Sequence, residues 1–360
     1  MTPTTRSSWG ALLAVLLVVP CTASNQITVF DVAGATNTWA VSVNAAGQIA
    51  GFYSDTANVN HGFLREATGS IVTFDAPRAT QVEFQGTFAE AINDSGQITG
   101  YFTKSGVPYG FLRDASGSFT TFAAAGDVSG TVPQSINASG QVAGYYTTSN
   151  FAQFGFVRSE DGTVISINAL NSICYAFGSR AEGCTSLTSI NGAGDVTGPW
   201  LDANSAYHGV VGSSNDRQLE FQAPKAGTLY AQGTDPWAIN DKGEVAGASI
   251  DSGGVAHGFV RLAAGGFVVF DAPGAGTGGN AGTTPRSMNN SGQITGNVRD
   301  VNYNTHGFYR DPAGTITVFD APNAGTGEEN GTFPSSINAL GQIVGTVSDA
   351  QGVLHGFVRE

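Results

Sequence analysis

A Ser-Ile-Asn-like element recurs seven times along the chain, its asparagine falling at Asn44, Asn93, Asn137, Asn191, Asn240, Asn289 and Asn338. Successive spacings are 49, 44, 54, 49, 49 and 49 residues. A period of this length restricts the chain to architectures in which one small unit packs against copies of itself. Three residues after each asparagine comes a glycine (Gly47, Gly96, Gly140, Gly194, Gly243, Gly292, Gly341). Asn-x-x-Gly between alternating apolar runs reads as a hairpin turn, with Asn capping it and Gly taking the positive φ. A second glycine follows four residues later, from Gly51 to Gly345. Glycine inside a strand marks close approach of another backbone. The expectation here is crowding between neighbouring units near a central axis.

Two further elements complete the unit. His-Gly-Phe-x-Arg stands at 61–65, 257–261, 306–310 and 355–359, with degenerate copies from Tyr109, Phe154 and His208. A strand end of Phe-Asp-Ala-Pro type stands at 74–77, 270–273 and 319–322. The unit therefore reads as four strands, a to d, and four short strands in about 49 residues fit a propeller blade. The last copy stops after strand c, whereas Ile27 to Asp31 near the N-terminus matches an isolated strand d. The predicted fold is all-β: a seven-bladed β-propeller of four-stranded blades, closed by that N-terminal strand d pairing with the C-terminal strands a–c. Closure removes both exposed sheet edges.

The Ile-Asn-x-x-Gly and His-Gly-Phe elements resemble the bacterial extracellular repeat family named for its His-Ala-Phe motif, over residues 27 to 360. This chain carries Gly62, Gly258, Gly307 and Gly356 where the name-giving alanine would stand. The resemblance implies repetition and export, and brings no defined activity.

Export is also expected from the first residues. Arg6, the apolar run Ala11 to Val19 and the small residues around Cys21 form a signal-peptide pattern, which assigns 1–23 to the signal and 24–360 to one propeller domain. Lipidation at Cys21 is the weaker alternative, because Pro20 directly precedes it. The run is too short to cross a bilayer. The chain carries 15 Lys+Arg against 28 Asp+Glu, and removing the signal takes away one basic residue and no acidic one, leaving a net of −14. Such a balance disfavours nucleic acid and anionic membrane surfaces as partners. A secreted, extracellular or periplasmic monomer is expected, with Cys174 and Cys184 joined in a disulfide across the longest d–a connection.

No known catalytic pattern is present: no H-E-x-x-H, no nucleophile elbow, no phosphate loop with lysine, no zinc-spaced Cys/His cluster, no calcium loop. Neither a metal site nor a cofactor is expected. An aspartate lies six residues before each histidine, giving Asp55/His61, Asp202/His208, Asp251/His257, Asp300/His306 and Asp349/His355. Where the histidine is replaced by Tyr109 or Phe154, the aspartate is lost too. Paired loss among copies points to contact across the b–c hairpin, read as a structural staple with a ring of ligand sites as the alternative. Tyr230, Asp235 and Trp237, with Lys225, do not recur and are placed in one d–a connection as a candidate ligand site. The expected function is non-catalytic binding of a glycan, peptide or exported protein on the face of the d–a loops. The alternative is a hydrolase or lyase using that face through Asp235, Glu328 or Glu329.

Overall fold

The computed structural model describes residues 26–124, 128–169, 172–176, 179–213 and 218–360. The expected signal segment lies outside them. The all-β expectation holds: the described residues form strands and turns, with no helix long and apolar enough to cross a membrane.

Each repeat folds as an antiparallel meander of four strands. The first consists of Asn37–Val43, Ile49–Ser54, Asn60–Arg65 and Ile71–Phe74. Strand Ile27–Phe30 pairs antiparallel with Leu354–Arg359, Thr28 opposite Val358, and so supplies the fourth strand beside Gly331–Ile337 and Ile343–Ser348. The turns form as the sequence predicts. The Asn44 side-chain oxygen accepts from the amides of Ala46 and Gln48 at 3.1 and 2.9 Å, and Gly47 has φ +76°.

The asparagines also link one unit to the next. The Asn44 amide donates to the carbonyl of Asn93, Asn93 to Asn137, Asn137 to Asn191 and Asn191 to Asn240, each at 2.9–3.1 Å. Asn289 donates to Asn338, and Asn338 to Asn44 at 2.9 Å across 294 residues of sequence. The serine of the same element does related work: Ser42 accepts from the Ile92 amide, and Ser336 from the Val43 amide.

Aromatic packing joins the outer strands. Phe63, Phe111, Phe156, Phe259, Phe308 and Phe357 are fully buried. Each meets edge-on the strand-d phenylalanine of the preceding unit, as in Phe30–Phe63, Phe74–Phe111 and Phe319–Phe357 at 6.2–6.4 Å. Such pairs contribute about 0.5–1.5 kcal/mol beyond their buried area. The arginine ending each His-Gly-Phe-x-Arg then lies over the same ring, Arg65 over Phe30 at 4.7 Å and Arg310 over Phe270 at 4.9 Å. The unit with Gly212 in place of arginine has no counterpart among the described contacts. In His-Gly-Phe, a Cβ on Gly62 would collide with the Phe74 ring, which is the local reason for glycine there.

One expectation needs correction. The second conserved glycine relieves crowding within its own unit: a Cβ on Gly51 would strike the Trp39 carbonyl oxygen of the adjacent strand a. Strand a bulges at this level, the register slipping between Ala40 and Ser42, and the glycine makes room for the bulge. The long third connection contains a hairpin of Ile173–Ala176 and Ser179–Glu182. Its base is held by Ser172, whose hydroxyl donates to Asn168 and accepts from the Cys184 amide. The Cys174 side chain, and with it the expected disulfide to Cys184, lies outside the described residues.

Candidate functional site in the central channel

The bulge determines what faces the axis. In six units it leaves one residue of strand a without a ladder partner, three positions before the repeated asparagine, and in the fourth unit Thr188 holds the same position just ahead of the short strand Ser189–Ile190. These residues are Val41, Glu90, Gln134, Thr188, Trp237, Arg286 and Ser335, seven different side chains in an otherwise repetitive chain. All seven line one cavity of about 590 Å³, together with Trp39, Phe333 and Glu329. The repeated serines Ser42, Ser135, Ser189, Ser287 and Ser336 also line the cavity, but the position three before the asparagine varies in every unit. That signal was present in the sequence, but the bulge had to be known before the varying positions could be assigned to one surface.

Trp237 stands on one wall with Asp235 behind it, both within strand Gly233–Ile239 and not in the d–a connection where the sequence placed them. The Trp237 indole N–H donates to the Asp235 carboxylate at 2.9 Å. The Arg286 guanidinium sits 3.9 Å from the centre of the Trp237 ring, and its Nε donates to Asn297 at 3.4 Å. Burial pushes the Asp235 carboxyl up to about 6, opposed by the Arg286 charge and the Trp237 hydrogen bond. Tyr230 is separate: it is 80% exposed in the loop and lines a second cavity of about 540 Å³ that shares Arg286 and Asn297 with the channel.

On another wall is Glu90, in strand Thr87–Ile92. Burial pushes its carboxyl up to about 7, and no cation offsets this. Its charged-state neighbours are the phenols of Tyr101 and Tyr145, both raised by burial first and by Glu90 second. Phe88 stacks on Tyr101 at 4.6 Å and Trp39 on Phe52 at 4.7 Å, which makes this side of the channel aromatic. Of the other proposed acids, Glu329 lines the channel, while Glu328 enters only through its backbone carbonyl, which accepts from Arg299.

The five aspartate–histidine pairs lie elsewhere, at the b–c hairpins. Nε2 of His61, His208, His257, His306 and His355 is 3.2–3.7 Å from its aspartate. The same aspartates cap the hairpin turn, as Asp251 does for the amides of Gly253 and Val255. Sequence reasoning missed the closer partner. Nδ1 of His61, His257, His306 and His355 lies 2.7–2.9 Å from Asp75, Asp271, Asp320 and Asp31, the aspartates of the strand-d ends. The spacing of 14 residues in the pairs of His61, His257 and His306 was readable, His355 finds its equivalent in Asp31 of the N-terminal strand end, and His208 lacks this partner because Gln222 stands there. Among the described residues, no group of three or more His, Cys, Asp or Glu is placed to hold a metal.

His355 joins the N-terminal strand to the last unit through Asp31. Burial by itself would lower its imidazole, but the hydrogen bonds and charges of Asp31 and then Asp349 outweigh this and raise it. A raised folded value adds stability that is complete below the unfolded value of about 6.5 and is lost as pH rises through the folded one. The Tm difference between wild type and His355→Gln, followed by calorimetry, is expected to be larger at pH 6 than at pH 8. A difference independent of pH would contradict the pairing.

Neither a family profile nor a sequence relative among curated proteins matches this chain. Solved structures do. The virginiamycin B lyase of Staphylococcus aureus matches with a TM-score of 0.59 at 12% identity, covering 93% of this chain and 99% of that one. A streptogramin B lyase structure matches with a TM-score of 0.58 at 13% identity, covering 93% and 98%. The BP39L lectin of Burkholderia pseudomallei matches with a TM-score of 0.55 at 11% identity, covering 91% and 96%. At such identities the likeness concerns the fold alone, and that fold is a β-propeller.

Proposed function

We propose that this chain is a secreted, closed seven-bladed propeller that binds a ligand in its central channel, and that it belongs with the extracellular His-Ala-Phe-type repeats. The observation carrying this reading is the contrast in strand a. Its threonine and asparagine positions repeat in all seven copies and its serine position is Ser or Ala, whereas the residue three before the asparagine differs in all seven copies and faces the cavity. A scaffold has no use for that variety; recognition does, because a ligand presents different groups in different directions. Glu329, from a d–a connection, and Leu354, the first residue of a strand c, both line the cavity, which supports entry of a ligand from the face of those loops. The solved relatives include a lectin by name, which fits the glycan option. No cofactor enters the reading, and a Cys174–Cys184 bridge would brace the rim.

The enzymatic alternative draws on two carboxyls raised by burial, Glu90 on the channel wall to about 7 and Asp235 beside Trp237 to about 6. Two of the solved relatives are lyases by name. Binding and turnover separate in one experiment. Residues 24–360 are screened on a glycan array and against exported peptides, with intact mass of the ligand measured after incubation. The binding reading expects capture without change of mass, weakened at least about tenfold by Trp237→Ala or Arg286→Ala and unaffected by Tyr230→Ala. Capture that ignores the channel variants but is lost in Tyr230→Ala would move the site to the rim. A changed ligand mass that needs Glu90 would establish the alternative.

A further inference from the structure

Glu90 is the channel residue that the scaffold does not account for. The equivalent position carries Val41, Gln134, Thr188 and Ser335 in other units, so the bulge does not need a carboxylate. Glu90 is half-buried and opens onto the cavity between the packed Ala89 and Ala91, and no hydrogen bond or ion pair to its carboxylate exists among the described residues. A carboxylate in such a place costs stability unless something supplies the opposite charge. The other charged lining residues do not. Arg286 is engaged with Trp237 and lies in the field of Asp235, and Glu329 adds negative charge. The whole chain is acidic, with a formal net charge of −13. The aromatic surfaces of Trp39 and Phe333 share the cavity with Glu90, and ring faces attract cations.

We infer that the channel receives an aliphatic ammonium group, its charge held by the Glu90 carboxylate and its carbon chain lying along Trp39 and Phe333. The inference rests on the channel reading above and gives it a ligand class. Ammonium binds the ionised form of Glu90. With the carboxyl at about 7 in the free protein, affinity rises with pH through that region. The groups facing Glu90 do not mimic this. Tyr101 and Tyr145 are raised and stay neutral, and an alkylammonium stays protonated to about 10. Asp235 titrates lower, at about 6, and Arg286 stays charged.

The test uses n-hexylammonium, n-hexanol and hexanoate as probes of equal length, with residues 24–360, by calorimetry and tryptophan fluorescence. Hexylammonium is expected to bind about tenfold more tightly at pH 8 than at pH 6, the ratio for a carboxyl titrating midway between them. Glu90→Gln should abolish that pH step and weaken binding at pH 8 at least about tenfold, while Asp235→Asn keeps the step. Equal or tighter binding of hexanol or hexanoate, with Glu90→Gln indifferent, would overturn the ammonium assignment and leave channel binding standing. Hexylammonium failing to bind at all overturns it as well, and the glycan and peptide screen then decides the channel reading separately.

Discussion

A chain shortened to residues 34–360 should lose on the order of 5 kcal/mol or more, a large share of the ~5–15 kcal/mol that holds a typical domain. The shortening removes strand Ile27–Phe30 and so leaves Leu354–Arg359 without its outer neighbour. It also removes buried Val32, the Phe30 ring packed on Phe63 and covered by Arg65, and the Asp31 partner of His355. Burying one large apolar side chain contributes about 1.5–3 kcal/mol, and several are lost together. An exposed strand edge then favours association between chains. Thermal unfolding should move down by about 10 °C or more, lose cooperativity and be accompanied by aggregation. Unchanged unfolding of the shortened chain would mean that the N-terminal strand contributes nothing to the ring.

The second large effect is expected at an asparagine. Asn338→Ala removes four hydrogen bonds at once. Two are accepted from the amides of Leu340 and Gln342, one is donated to the Gln342 side chain, and one to the Asn44 carbonyl. Asn338 is 4% exposed, so little water can replace them. Each buried group left unsatisfied costs about 1–3 kcal/mol, and a loss of roughly 2–4 kcal/mol in denaturant unfolding is expected. Leu340→Ala, two residues away and 74% exposed, should change stability by less than ~0.5 kcal/mol. Similar effects of the two substitutions would show that the asparagine only shapes its turn.

Much of this architecture was legible before any coordinates. The period, the four-strand unit, the turn role of Asn44 and Gly47 and the core phenylalanines all follow from residue type and spacing, because local turn chemistry and burial act over a few residues. What a single unit cannot reveal is what lies between units. The Asn44 amide reaching Asn93, Arg65 over Phe30 and Ser336 accepting from the Val43 amide are contacts between copies, and a repeat looks the same whether its conserved residues serve itself or its neighbour. The histidines show the same limit. The aspartate six residues upstream was found by its co-loss with histidine, whereas the closer one, 14 residues downstream, was hidden inside a motif already explained as a strand end.

The site was legible only in fragments. Asp235 and Trp237 stood out because they do not recur, but both were set in a d–a connection. In the structure Pro236 lies in strand a beside the bulge, opposite Gly247. Proline is tolerated at a bulge. Glu90 and Arg286 passed unnoticed because charged residues in a strand are ordinarily solvent-facing; only the bulge turns them to the axis.

Every functional inference here needs an enclosed channel, and enclosure depends on one strand pairing. Thr28 lies opposite Val358 in that pairing, and facing residues of adjacent antiparallel strands have Cβ atoms about 4.5–5.5 Å apart. The direct measurement is oxidation of the Thr28→Cys, Val358→Cys double variant followed by peptide mass mapping. A closed ring predicts a bond between positions 28 and 358 within one chain, formed in high yield in the folded protein and little affected by dilution. A bond found only between chains, or none until the protein is denatured, would contradict closure and remove the channel from the account.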